Sequence, residues 1–202
     1  MVMSVYERVL GARIDELAPS LRRYVGMPPD GMVGHGTGVY EVAGSRHRWL
    51  RPMLWWLGWR HVLFAEYGHR IPFTVVNSPD AVGTLSARRT FAFPRVTRVM
   101  DDTMFVVDGR LHDRLGRRRG LEVELLLSVV DAGLVMSSGR QWLHLGRARV
   151  PLPRLVRVAL DERAIPGTLD GHTQRVEVRM TAPLLGEVFR YAGTFSYSYI
   201  RH

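Results

Sequence analysis

The C-terminal two thirds of the chain alternate apolar and polar positions, a period of two that is typical of β-strands with one buried face. The last segment is the clearest, because Phe189, Tyr191 and Phe195 fall on the same face. Tight turns such as Asp108-Gly109 and Asp170-Gly171 separate neighbouring segments. Since no regular helical pattern lies between these segments, we predict an antiparallel meander and not a doubly wound parallel sheet.

The N-terminal third shows helical periodicity instead. Apolar residues recur at helical spacing over 6–24, and Pro19 divides this pattern into two short pieces. A second helical segment is predicted over 48–64, with Pro52 in its first turn. We expect its tryptophan face to pack on the sheet, and contact with a membrane interface is the alternative. The tryptophans of this segment are Trp49, Trp55, Trp56 and Trp59.

These patterns predict a mainly β (α+β) fold. We expect a curved antiparallel sheet or β-barrel of about nine strands with two N-terminal helical segments. The length of 202 residues fits a single domain, 1–202, in which residues 1–66 pack on the β-meander of 71–200. Pro151-Leu152-Pro153 is interpreted as a break between strands.

Composition narrows the chemistry without naming a reaction. The chain is 46% hydrophobic and 23% charged, which is ordinary for a globular protein. It contains no cysteine, so disulfides, thiolate metal sites and cysteine nucleophiles are excluded. The formal net charge is +9, and every basic side chain apart from histidine is an arginine. GC-rich codon usage would account for the arginines without a functional demand, and a basic surface that attracts phosphate, nucleic acid or anionic lipid is the alternative. Because the arginines are dispersed and no recognisable nucleic-acid module is present, we expect no nucleic-acid partner.

The N-terminus lacks the basic start and the long apolar core of a secretory signal. The most apolar segment, 49–64, is interrupted by Arg51, Pro52, Arg60 and His61. It is shorter than the roughly 20 apolar residues that a membrane-spanning helix needs. We therefore expect a cytoplasmic protein.

The segment Gly34-His35-Gly36-Thr37-Gly38 superficially resembles a phosphate-binding loop. Such a loop needs a preceding strand and a following helix, and here a strand follows. We therefore interpret the glycines as permitting an unusual backbone at the entry to a strand, and we expect no cofactor. The eight histidines form no His-x-His or His-x-x-x-His pair, and we expect no metal.

Three residues are candidate catalytic groups in acid–base chemistry: His35, Asp102 and Tyr191. His35 lies in a glycine-rich segment, where it is a candidate general base at a pocket mouth. Neighbouring strand positions point to opposite faces, so either Asp101 or Asp102 is expected to face inward, with a pKa raised by burial.

The aromatic strand face suggests an apolar pocket with a few polar groups, which is typical of a ligand site. A core filled by its own side chains is the alternative. A buried Arg88 or Arg89 needs a carboxylate partner, for which Asp113 or Glu41 are candidates. The candidate substrate-binding residues are Tyr40, Arg89, Phe91, Phe93, Phe195, Tyr197 and Trp56.

Several segments together resemble the bacterial family known as domain of unknown function 4166. They are Gly36-Thr37-Gly38-Val39-Tyr40-Glu41-Val42, Arg88-Arg89-Thr90-Phe91-Ala92-Phe93, Asp108 to Gly116, Pro151-Leu152-Pro153, and Pro183-Leu184-Leu185-Gly186 followed by Tyr191-Ala192-Gly193-Thr194-Phe195. The resemblance extends from about Leu21 to Tyr197. At Ala87 the chain departs from the family, which tends to place larger or polar residues there. The resemblance implies no particular activity, and only loosely a role in small-molecule metabolism.

Two functions follow as hypotheses. The first is a cofactor-independent cyclase or isomerase that holds a small hydrophobic, polyketide- or terpenoid-like metabolite and acts through shape and acid–base groups. The second is a non-catalytic carrier or sensor of a lipid-like ligand, or an interaction module that touches a membrane surface through the tryptophan helix. The oligomeric state does not follow from the sequence.

Overall fold

The computed structural model describes residues 3–165 and 173–201. Within these residues, eleven strands form one antiparallel sheet in the order β6-β5-β4-β3-β2-β1-β11-β10-β9-β7-β8, and a further pairing of β6 with β7 closes it. Ten strands therefore make a barrel, and β8 lies outside it, paired only with β7. The strands are β1 Met32–Gly44, β2 Tyr67–Pro79, β3 Leu85–Phe93, β4 Val96–Val107, β5 Arg110–Leu115, β6 Leu121–Val130, β7 Gly133–Leu145, β8 Ala148–Leu152, β9 Arg157–Ala164, β10 Thr173–Ala182 and β11 Gly186–Arg201.

Short helices precede and interrupt the meander. They are α1 Val5–Leu10, a 3₁₀-helix Gly11–Glu16, α2 Pro19–Val25, a 3₁₀-turn Arg48–Leu50 and α3 Arg51–Trp59. The side chains of Ser4 and Glu7 form a reciprocal capping box at α1, which satisfies backbone N–H groups at its start. Pro19 begins α2, where its missing N–H costs nothing.

The N-terminal helices and the segment that follows α3 close the two ends of the barrel. At one end, α1 and α2 bury Tyr6, Leu21 and Tyr24, and the Tyr24 ring lies 4.8 Å from the Tyr197 ring. At the other end, the Phe64 ring contacts Phe91, Phe93 and Phe189, with centroid distances of 4.7, 5.2 and 4.9 Å. The hydrophobic core is therefore the barrel interior together with these two plugs.

The predicted fold class is confirmed, and the differences lie in individual elements. The strand β7 is continuous over Gly133–Leu145 and pairs with β6, β8 and β9. Pro151 lies inside β8, whose free edge tolerates a residue without an N–H donor. The break between strands follows it, because β8 ends at Leu152 and β9 begins at Arg157. The turn predicted at Asp170-Gly171 lies outside the described residues.

The prediction that the tryptophan face of α3 packs on the sheet is wrong. Leu54 is the buried residue of α3, and Leu50 just before it is also buried. The side chains of Trp55 and Trp56 are exposed. Leucines thus anchor the helix, which also ends at Trp59 rather than near residue 64. In the described part of the chain, no helix is long and apolar enough to span a membrane.

Candidate functional site

Glycines and aromatic residues face each other on the inner side of β1 and β11. Gly36 pairs with Tyr197 and Gly38 with Phe195. A Cβ atom on Gly38 would lie 2.6 Å from the Phe195 Cβ atom and 2.1 Å from a backbone oxygen, so only glycine fits. Neither glycine has a positive φ. The expectation of an unusual backbone here is therefore wrong: the glycines provide space for rings.

Aromatic rings fill the middle of the barrel. Tyr40 stacks on Phe73, with centroids 3.8 Å apart and planes at 16°. Its ring also lies 5.3 Å from that of Phe91 and 5.1 Å from that of Tyr191. All four residues are buried. The aromatic strand face deduced from the alternation therefore lines the interior.

An ion pair crosses the interior between β3 and β4. The Arg89 guanidinium hydrogen-bonds the Asp102 carboxylate, and both side chains are largely buried. Burial raises the pKa of Asp102, while the Arg89 charge opposes that rise. Asp101 points outward, where its carboxylate lies 2.6 Å from His61 Nδ1. The expectation that one of the two aspartates faces inward is thus met by Asp102.

The proposed partners of the arginine pair need correction. Arg89 pairs with Asp102 and with neither Asp113 nor Glu41. Glu41 is on the outer surface, where Arg175 donates a 2.7 Å hydrogen bond to it. The reason is register: Arg89 lies opposite Met100, so a long side chain reaches the next inward position of β4.

Two further carboxyl groups are buried in the interior. Burial raises the pKa of Glu162 to about 8, although the Arg89 charge acts in the opposite direction. Burial, and next the charge of Asp102, raise the pKa of Asp113 well above its ordinary value. Glu162 is therefore a neutral acid over much of the physiological pH range, while Asp102 has a cation beside it.

Glu162, Arg89 and Tyr191 line one internal cavity. Its volume is about 20 Å³, which is room for a water molecule. Its walls come mostly from apolar and aromatic side chains, among them Tyr24 and Phe195. Burial raises the pKa of Tyr191 to about 12, so its hydroxyl remains a hydrogen-bond donor at neutral pH. The cavity thus joins apolar walls to an arginine, a carboxyl group and tyrosine hydroxyls, of which that of Tyr24 hydrogen-bonds Glu162.

Several interior polar atoms lack a hydrogen-bond partner among the described residues. They are Asp102 Oδ2, Asp113 Oδ1, Glu162 Oε2 and both amide atoms of Gln174. An unpaired buried polar atom costs roughly 1–3 kcal/mol. Such a group of atoms in one barrel is consistent with a site that receives water or a polar ligand.

The structure brings most of the candidate residues together, with two exceptions. The candidates that point into the barrel are Asp102, Tyr191 and the aromatic residues Tyr40, Phe91, Phe93, Phe195 and Tyr197. His35 lies on the other face of β1 from Gly36 and Tyr40, and therefore outside the barrel. Trp56 lies on the exposed side of α3, where Arg60 stacks over its ring at 5.0 Å.

A second polar cluster, which sequence reasoning missed, lies on the outer face of β5, β6 and β7. Glu122 is 2% exposed, and four donors surround its carboxylate. Burial alone would raise the pKa of Glu122, but hydrogen bonds led by that from His144 lower it to about 2. The donors and their distances are His112 Nδ1 3.0 Å, Arg114 Nε 3.2 Å, His144 Nε2 2.6 Å and Arg149 Nη2 2.6 Å.

Glu162 was also missed, although a signal was present. It shares its strand face with Leu160, so the alternation places it among core positions. The Glu122 cluster has no such signal, because its burial depends on β8 folding back against β7. Across residues 3–165 and 173–201, no group of three or more histidine or acidic side chains is arranged to hold a metal ion.

The fold and this interior define a closed β-barrel with a buried acid–base cluster, an architecture consistent with ligand binding. The chain belongs to the family described as Domain of unknown function (DUF4166), which matches residues 17–195. It is similar to "Uncharacterized protein YndH" of Bacillus subtilis (strain 168), with 32% identity over 180 residues, 79% of this chain and 81% of that relative. No solved structure matches the chain. The family expected from the sequence segments is thereby confirmed.

Proposed function

We propose that the chain binds a small molecule in the barrel interior and promotes its cyclisation or isomerisation by acid–base chemistry without a cofactor. One observation carries the proposal: Arg89, Glu162 and Tyr191 line the same cavity within aromatic walls. Titratable groups with shifted pKa values that converge on one cavity are typical of functional sites.

The ligand chemistry follows from the walls. The rings of Tyr40, Phe73 and Phe195 favour an apolar body, and the polar groups favour an oxygen-bearing end. The cavity of about 20 Å³ is too small for a metabolite in this closed state. Entry therefore requires Tyr24 to move, and Tyr24 lies on the seven-residue helix α2 at one end of the barrel.

Each polar group has a distinct task in this proposal. Glu162 is neutral below a pKa of about 8 and donates a proton to the ligand. Arg89 and the Tyr191 hydroxyl hydrogen-bond the ligand oxygen on which negative charge develops. The Glu162 carboxylate that results accepts the proton that the ligand gives up, which restores the starting state, and Asp102 holds the Arg89 guanidinium in place. His35 takes no part, because it lies on the outer face.

The first test is native mass spectrometry of freshly purified protein, followed by extraction and identification of any bound molecule. We expect an apolar metabolite with an oxygen function at stoichiometric occupancy, and its conversion can then be measured. Glu162→Gln should abolish turnover while the fold remains intact. Glu41→Gln is the control, because it makes the same chemical change at a carboxylate that pairs with Arg175 on the outer surface.

Two results would count against the proposal. An empty protein that also takes up no apolar fluorescent probe indicates a filled core. A ligand that stays bound and unaltered favours the carrier hypothesis, which the aromatic interior also supports.

A further inference from the structure

We propose that α3 and the adjoining β5–β6 loop form a docking surface for an anionic lipid bilayer. This inference is independent of the interior site, because the residues that carry it lie outside the barrel.

The outer side of α3 is apolar, which is unusual for a surface helix. The side chains of Trp49, Trp55, Trp56 and Trp59 are between 53% and 62% exposed, and Met53 is 51% exposed. Inward-facing leucines already anchor the helix, so the tryptophans are not needed for packing. Tryptophan is the side chain that favours the boundary between lipid headgroups and acyl chains.

Arginines surround these rings. Arg60 stacks over Trp56 at 5.0 Å, and Arg117 and Arg118 stack over Trp59 at 4.8 and 5.3 Å. None of these three arginines has an ion-pair partner among the residues described. The stretch 48–65 contains no aspartate or glutamate. Their charge therefore remains available for an anionic partner.

A basic groove adjoins this surface. It has a volume of about 440 Å³ and is lined by Arg88, Arg117 and Arg119. Hydroxyl groups of Ser86 and Thr103 lie along the same groove. The Asp101 carboxylate at the surface of the groove is already paired with His61 at 2.6 Å and with Arg88 at 3.5 Å. The groove therefore offers arginine and hydroxyl donors to a phosphate group.

Arg117 connects the two features, because it lines the groove and also stacks over Trp59. Its backbone N–H donates to the Arg60 carbonyl oxygen at 3.0 Å, which fixes the loop against the end of α3. On a bilayer, the apolar rings would contact the boundary of the acyl chains, and the adjacent arginine-lined groove would contact the lipid phosphates.

The test is co-sedimentation with vesicles of phosphatidylcholine alone or mixed with phosphatidylglycerol. We expect binding to the mixed vesicles at low salt, weak binding to phosphatidylcholine, and loss of binding at high salt. Trp55→Ala/Trp56→Ala should weaken binding at least tenfold. Arg117→Gln/Arg119→Gln should weaken it about 30-fold, since each arginine near an anionic surface contributes about a factor of five.

The control is Arg154→Gln/Arg157→Gln, which removes the same charge from exposed positions elsewhere. It should change binding less than threefold. Absence of parent binding to the mixed vesicles at low salt would overturn the proposal. So would equal weakening by the control, which indicates attraction by net charge alone. Binding of inorganic phosphate at the groove without vesicle binding would show a site for a free anion instead, and would also overturn it.

Discussion

Arg89 and Asp102 form a buried ion pair across two neighbouring strands of the barrel, one inward position out of direct register. Their side chains are 16% and 3% exposed. A buried pair of this kind contributes little when compared with well-packed apolar residues, but removal of one partner leaves an unpaired charge. The pair places a cation where Glu162 and Tyr191 meet, and so sets the electrostatics of the interior.

Arg89→Met should destabilise the protein by about 3 kcal/mol or more, because Asp102 is left buried without its cation. Urea denaturation at pH 7 measures this change. Arg88→Gln, at an exposed position on the outer face, should cost less than about 1 kcal/mol. The double variant Arg89→Met/Asp102→Leu should recover most of the loss. If Arg89→Met and Arg88→Gln have equal effects, the interior pair is not as described.

Stability should fall as the pH rises from about 5 to 8. The pKa of Glu162 is raised to about 8 in the folded protein, against 4.5 as its ordinary value. Between these values the folded state binds the extra proton, so raising the pH favours the unfolded state. Across this range the free energy of unfolding should fall by up to about 4–5 kcal/mol.

Chemical denaturation at several pH values measures this slope. Glu162→Gln removes the titrating group and should flatten it, and Glu41→Gln, which removes a surface carboxylate paired with Arg175, should leave it unchanged. A parent slope that persists in Glu162→Gln would assign the effect to Asp113 or another group.

Acid stability should depend on Glu122. The pKa of Glu122 is lowered to about 2. Its contribution to the free energy of unfolding is therefore present above pH 4.5 and is lost as the pH falls toward 2. Glu122→Gln should destabilise the protein by about 3 kcal/mol at pH 7 and reduce the loss of stability between pH 4.5 and 2.

Glu41→Gln is the control for this change, since Glu41 pairs with Arg175 at the surface with 59% of its side chain exposed. It should cost less than about 1 kcal/mol. Thermal unfolding monitored by circular dichroism distinguishes the two. Equal melting temperatures for both variants would contradict a special role for the Glu122 cluster.

Gly38→Ala should be disruptive, because the new methyl group would lie 2.1 Å from the Thr194 carbonyl oxygen and 2.6 Å from the Phe195 Cβ atom. The strands must separate or the ring must leave its position, at a cost of about 2 kcal/mol or more. Val39→Ala, at the next and exposed position, should change stability by less than about 1 kcal/mol. The difference in melting temperature between the two variants is the measurement. A fully stable Gly38→Ala would show that the glycine–aromatic pairs are not tightly packed.

The barrel was predictable because alternation alone sorts each strand into an inner and an outer face. The strand that carries Tyr191 and Phe195 is an example, since its aromatic residues occupy the alternate positions that face the barrel interior. The tryptophan helix shows where such reasoning fails. Both sides of α3 are apolar, and local pattern cannot decide whether Leu54 or Trp55 faces the barrel.

The candidate site was predictable in part. Tyr191 was identified because the inward-facing positions of its strand are visible in the sequence, whereas for the aspartates the alternation predicted only that one of Asp101 and Asp102 faces inward. The partner of Arg89 was not identified, because diagonal pairing depends on strand register. The Glu122 donors come from three different strands, and only the folded sheet brings them to one carboxylate.

The proposed chemistry depends on a proton-bearing carboxyl group at Glu162 beside Arg89 and Tyr191. A pH titration of glutamate side-chain carboxyl ¹³C signals, with Glu162 assigned by its loss in Glu162→Gln, observes this group directly. We expect Glu162 to titrate near pH 8, several units above the exposed glutamates. Titration near 4.5 would contradict the account, because the interior would then hold an ordinary carboxylate with no proton to donate.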